Sequence, residues 1–178
     1  MSTRRLNAVV SLLTTLLILF HAGFHAAWML SGHTIPKTQM ATVVSWALCG
    51  AMVIHAIISI DLLISHAMES KGKGGKKYAK LNVQTVFQRI SGALLIPFSA
   101  LHIGGTVGPV TPPPAVHATV PVLFFAVALA HASVSTGKAF ITLGIGDAKT
   151  VKVVNTVMRV ICGAILVAAA IGFYLYQV

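Results

Sequence analysis

The sequence predicts an all-α, polytopic membrane protein of five transmembrane helices, and three observations carry that prediction. First, 56% of the 178 residues are hydrophobic and only 9% are charged, whereas soluble domains carry roughly 25% charged residues. Second, five apolar runs, at about 6–30, 41–67, 84–107, 118–143 and 153–176, each reach the ~20 helical residues that cross a hydrocarbon core. Third, the chain has thirteen Lys plus Arg against three acids, and the bases cluster between runs, as the positive-inside rule describes. A net charge of +10 does not point to nucleic acid, because that needs a soluble basic face with polar or aromatic readers. No nucleic-acid partner is expected, and residues 1–178 read as a single membrane domain.

The first run opens "MSTRRLNAVVSLLTTLLILF", which has the basic start and apolar core of a signal peptide. It continues to Leu30 and carries His21 and His25, so it reads as an uncleaved first span. The second contains Cys49, His55 and Asp61, and the basic, Gly-rich "MESKGKGGKKYAK" follows it. The third opens "QRISG" and contains Pro97, which lacks a backbone donor and predicts a bend. After it, "GGTVGPVTPPPAV" breaks any helix. The fourth holds His131 and Lys138, and a short turn around "GIGDAKTVK" leads into the fifth, which contains Cys162. The two cysteines have neither disulfide nor zinc spacing and read as small packing residues. Every run must be a helix, because lipid leaves backbone polar groups to be satisfied within the span.

If the spans alternate, Arg4, Arg5, Lys71, Lys73, Lys76, Lys77, Lys80, Lys149 and Lys152 share one side, and only Lys37 lies in a loop on the other. The N-terminus is therefore expected in the cytoplasm and the C-terminus outside. The basic side would also offer a platform to a soluble partner.

Eight histidines in so apolar a chain require a reason. His33, His66 and His117 fall at span ends or outer loops and read as interfacial residues. His21, His25, His55, His102 and His131 lie well inside the first four spans. A His within a span costs free energy unless it faces the protein interior and finds a partner. One such His is as readily an interhelical hydrogen bond of about 1 kcal/mol as a ligand. One deep His on each of four helices favours something shared. Zinc is disfavoured, since no His pair is backed by Cys or carboxylate. A proton relay usually includes carboxylates, and only Asp61 is embedded. Haem fits better: four imidazoles would fill both axial positions of two haem irons, leaving groups suited to moving electrons.

Depth suggests the pairs. His21 lies sixteen residues above Arg5 and His102 thirteen above Arg89, about 24 and 20 Å, so both belong to the outer half. His55 lies eleven residues above His66 and His131 thirteen above Gly144, about 16 and 20 Å, so they could share a second, deeper haem. Lys138 follows His131 by seven residues, close to two turns, which puts it beneath that imidazole on one face. There it would meet haem propionates, or it would snorkel to the interface. Asp61 would pair with Lys138 or cap another cation.

Four segments then resemble one family. "QRISG" with His102 ten residues beyond its glycine resembles the third helix of the single-chain, five-helix, dihaem cytochrome b anchor of succinate dehydrogenases and fumarate reductases. "IHAII" around His55, "HASVSTGKAFITLG" from His131 and "RRLNAVVSLLTTLLILFH" up to His21 resemble the second, fourth and first helices. The fifth matches only in being apolar. The resemblance implies two b haems, with His55 and His131 holding the inner iron and His21 and His102 the outer. It favours His21 over His25, which stays the alternative ligand. It implies that Arg89, Ser91 and Lys138 contact haem, and that small Ser91 and Gly92 let the macrocycle approach the backbone.

Flavoprotein and iron–sulfur subunits would be the partners, with succinate and fumarate handled there, so this chain would carry haem and a quinone site but no catalytic residue. Menaquinone is favoured over ubiquinone. The setting would be a prokaryotic cytoplasmic membrane, with lipid around the chain and dimerisation of the complex allowed. Some members place a Glu just before the fourth-helix His, as part of a proton path. Here "VALAH" has Ala128, Leu129 and Ala130, and the outer loop "SGHTIPKTQMA" has no carboxylate, leaving only His33 or His25 as substitutes. A carboxylate-based proton path is therefore not expected. The competing readings are a cytochrome b anchor of another dehydrogenase and a non-haem transporter or assembly protein.

Overall fold

The computed structural model describes residues 1–36, 38–72, 83–107 and 113–177. They form five helices: α1 (Thr3–Leu30), α2 (Gln39–Gly72), α3 (Val83–Val107), α4 (Pro114–Leu143) and α5 (Ala148–Gln177). All five are long and apolar enough to cross a membrane, as the hydropathy predicts. Lys37 and the basic stretch 73–82 lie outside the described residues, as do the side chains of His66, Lys71 and His117.

Local chemistry explains the ends. Ser2 caps α1 by accepting from the Arg5 amide at 3.4 Å, and Ser31 closes it with its hydroxyl on the Trp28 carbonyl. Pro114 opens α4, where its missing amide hydrogen costs nothing. Gly144, with φ 79°, ends it; its amide reaches Ile141 O and that of Ile145 reaches Phe140 O. Those two bonds are the Schellman pattern, which needs a left-handed residue that glycine adopts freely. Asp147 then caps α5, its carboxylate accepting from the Thr150 amide at 2.8 Å and hydroxyl at 2.9 Å. These donors hold the Asp147 carboxyl below its ordinary range. α3 runs unbroken through Pro97.

α4 is the hub. It packs against α1, α3 and α5, while α1 packs also against α2 and α5. Half of the α4 span is buried, against 6% for α3 and 11% for α2. Small residues on α4 permit this, since lipid tails offer no hydrophobic drive and spans associate through close packing. Ala22, Leu129, Ala132, Met158 and Cys162 form a core among α1, α4 and α5, so Cys162 is the packing residue expected. Gly137 receives the Asn155 side chain, whose Oδ1 accepts the Gly137 amide at 3.1 Å. Gly172 lies against the α1 backbone, where a Cβ would stand 2.8–2.9 Å from Met29 and Leu30 atoms. A second cluster joins four helices: Ile18 of α1, Leu48 of α2, Phe124 and Ala128 of α4, with Leu95 and Phe98 of α3 packed on it. α2 and α3 have no comparable packed face with each other.

Candidate functional site

The second cluster divides two levels of polar residues. At the outer level, the His21 and His102 rings lie with centroids 6.3 Å apart at an interplanar angle of 84°. His102 stacks on Phe124 at 4.8 Å, and Phe125 approaches both imidazoles, at 5.7 and 5.8 Å. His25 sits one turn beyond His21, its centroid 4.6 Å away, within electrostatic range of His102. His21 is buried, whereas His25 is half-buried. His21 and His25 of α1 thus both lie close to His102 of α3.

At the inner level, His131 of α4 lies within electrostatic range of His55 of α2. Its ring rests on α3 at Gly92, where a Cβ would be 3.1 Å from Cε1. Going down α3 from His102 to Ser91, or down α2 from Ser45 to His55, is ten or eleven residues, about 15 Å. Going from Phe124 to His131 on α4 is seven residues, about 10 Å. The two levels are thus stacked roughly 10–15 Å apart along the bundle.

Each level contains one imidazole tethered by a helix serine. Ser45 Oγ lies 3.0 Å from His21 Nδ1, and Ser91 Oγ lies 3.0 Å from His131 Nδ1. Both hydroxyls already donate their single hydrogen to a preceding turn, Ser45 to Ala41 O at 2.8 Å and Ser91 to Phe87 O at 2.7 Å. A hydroxyl whose hydrogen is used can only accept. With the hydroxyl hydrogen on the helix carbonyl, Nδ1–H of each imidazole is the donor and the Nε2 lone pair is left available. That is the arrangement that fixes tautomer and orientation in metal-binding histidines. His55 Nδ1, by contrast, is buried without a hydrogen-bond partner among the described residues.

These residues fit an imidazole-ligated metal group. Two imidazoles sharing a metal, each nitrogen about 2.0 Å from it, have centroids ~6 Å apart, close to the His21–His102 spacing. Two-residue sites of this kind require the remaining ligands to come from the group itself, as a haem supplies. Among the described residues no cluster of three or more His, Cys, Asp or Glu is disposed to hold a bare metal ion.

Below His131, a polar seam continues between α3 and α4. Gln84 donates to Val134 O at 3.1 Å. Lys138 Nζ donates to Thr85 Oγ1 at 3.0 Å and Gln88 Oε1 at 2.6 Å. Lys138 does not pair with Asp61, which is exposed on α2; the rotation that α1 imposes on α2 turns Asp61 out of the bundle. Arg89 is exposed, although Lys138 feels its charge. Ser91 is buried and engages His131, and Gly92 makes room for that same ring. His33, at the outer turn with φ 67°, stacks on Trp28 at 3.9 Å, as an interfacial residue would.

Ser45, Gln88, Phe124 and Phe125 were not foreseeable as site residues one by one. Only Gln88 lies in a segment that spacing singled out. Comparison with family models, with curated proteins and with solved structures returned no significant match.

Proposed function

We propose that this chain is a haem-carrying membrane subunit that moves electrons across the bilayer between a soluble iron–sulfur partner and a quinone. The observation that supports it best is the repeated unit of the site: at two stacked levels, imidazoles from different helices face a shared interior, one of each set tethered through Nδ1. Structural histidines have no need to keep Nε2 available twice over. His21 and His102 would hold the outer group, and His55 and His131 the inner.

Held by these imidazoles, a haem would supply one-electron transfer. The protein's part is orientation and field. Ser45 and Ser91 set the tautomer of His21 and His131. The Phe124, Phe125, Phe98 and Leu95 side chains exclude water between levels, so that charge is felt at low dielectric. Lys138, held by Thr85 and Gln88, places a cation beneath His131, where an anionic propionate would be offset. Arg89 stands at the same end. On the family resemblance, the soluble partners are the flavoprotein and iron–sulfur subunits of a succinate:quinone or quinol:fumarate oxidoreductase, and menaquinone is the favoured acceptor. The basic loop side would then face the cytoplasm and those subunits.

Redox-titrated visible spectroscopy of the purified complex tests this. Two b-type haems per chain are expected, with His102→Ala and His131→Ala each removing one. A flavoprotein with succinate or fumarate activity should co-purify; a different dehydrogenase in its place would shift the assignment to another anchor. No chromophore in the wild type, or an unchanged spectrum in both variants, refutes the haem reading and leaves a transporter or assembly role.

A further inference from the structure

Arg159 lies in the wrong place for an ordinary interfacial base. It is eleven residues into α5, about 16 Å from the helix start, and its side chain is exposed. Among the described residues it makes neither hydrogen bond nor ion pair. On the adjoining side of the helix Val153, Val157 and Val160 are 55%, 50% and 67% exposed.

The depth follows from the other end of the helix. Tyr174 is 71% exposed, and aromatic residues of this kind mark the membrane–water interface. Some 20 residues back from an interfacial anchor spans the hydrocarbon, which reaches Val154. The Arg159 backbone is then five residues, about 7–8 Å, inside the hydrocarbon on the basic side. A charge there must find a partner or reach the interface.

The geometry of α5 directs it. Helical side chains lean toward the N-terminus of their helix, here the end that carries Lys149 and Lys152. Lys152 precedes Arg159 by seven residues, two turns, and so shares its face. Beside Lys152, on the N-terminal side of Arg159, a shallow recess is lined by Lys152, Val153, Thr156 and Val157. Thr156 does not occupy it with a free donor, because its hydroxyl is given to the Lys152 carbonyl at 2.9 Å. The result is two cations along one line of α5, with a recess beside Lys152 and an apolar flank of Val153, Val157 and Val160 next to them.

We propose that Lys152 and Arg159 form a binding site for one anionic phospholipid. The phosphate would sit between the ammonium and the guanidinium, which can grip it bidentately. An acyl chain would run along Val153, Val157 and Val160. A free phosphate is the poorer occupant because the apolar wall gives it nothing. A second copy joined by a two-fold axis through this face would set Arg159 against Arg159, which like charge opposes.

The test is native mass spectrometry of the full chain in detergent, with phosphatidylglycerol and phosphatidylcholine of identical acyl chains as probes. A basic residue near an anionic lipid surface is worth roughly fivefold in binding. Phosphatidylglycerol should therefore be retained roughly 25-fold better for the pair of cations, with Arg159→Gln and Lys152→Gln each lowering the preference about fivefold. Arg159→Lys should retain part of it, and serves where Arg159→Gln fails to fold. Arg5→Gln should leave it unchanged. Equal retention of the two lipids overturns the proposal. So does an Arg5→Gln loss as large as that of Arg159→Gln, displacement of lipid by inorganic phosphate, or a change of oligomeric state in Arg159→Gln without loss of lipid preference. None of these readouts involves haem, so they stand or fall apart from the electron-transfer reading.

Discussion

Replacing Ser91 by Ala separates a merely structural histidine from a ligand. The substitution deletes one oxygen, the acceptor of the His131 Nδ1–H bond at 3.0 Å, and leaves the ring's rest at Gly92 intact. Were His131 only an interhelical contact, the loss would be that of an average hydrogen bond between spans, about 0.6 and at most about 1.7 kcal/mol. At 1.36 kcal/mol per decade, that is roughly three- to eighteenfold in folding equilibrium. If Nδ1 is tethered so that Nε2 can hold a metal, removing the partner costs affinity as well, typically ~10–100-fold. The two are separated by titrating haem into the apoprotein in detergent while following its thermal unfolding. Ser99→Ala is the matched control: its hydroxyl donates to Leu95 O at 2.6 Å. We expect Ser91→Ala to weaken haem binding at the inner level by ~10-fold or more, with stability falling by less than 2 kcal/mol. Haem affinity equal to that of Ser99→Ala would refute the reasoning, whatever happens to stability.

Three further predictions concern the bundle itself. Gly172→Leu should destabilise the chain by about 1–3 kcal/mol in thermal unfolding, because even a Cβ meets α1 atoms at 2.8–2.9 Å, partly backbone that cannot yield cheaply. Gly137→Ala should cost a comparable amount by the same assay, since its Cβ would lie 2.5 Å from Asn155 Oδ1; Asn155→Ala in that background should restore part of the loss. At Asp147 the folded carboxyl titrates below its ordinary value, because Thr150 donates two bonds to the ionised form. Its contribution is therefore present above about pH 4 and is lost as pH falls through the lowered value. The protection factor of the Thr150 amide, its exchange rate corrected for the intrinsic pH dependence, should fall on acidification in the wild type and be low throughout in Asp147→Ala.

The spans were legible because hydropathy is a one-dimensional signal, but α1, α4 and α5 begin three, four and five residues before the apolar runs, where Ser2, Pro114 and Asp147 rather than hydropathy set the start. The levels of the deep histidines were legible too, since depth along a helix is only residue count. What sequence could not supply is rotation. Asp61 is embedded by position, yet exposed, because the side of α2 that meets α1 is set by packing. Ser45 and His21 are 24 positions apart, and nothing local announces that the hydroxyl will reach the ring. Gly92 shows the same limit: its smallness was evident, but the ring that fills the space comes from another helix. The Gly137–Asn155 bond joins two spans whose sequences give no hint of it.

The packing pattern also bears on how the chain is made. α1 lies against α2, and α3 against α4, so each successive pair can close as a hairpin soon after its second member enters the bilayer. The face joining the two hairpins is that of α1 with α4, and it cannot form until the fourth span arrives. Until then, His21 can already meet Ser45 of α2, whereas His55 and His102 wait for residues of α4. α5 settles last, on α1 and α4 together, with Gly172 against Met29 and Leu30. A ribosome stalled before α4 would thus leave His55 without His131 and His102 without the Phe124 ring on which it stacks.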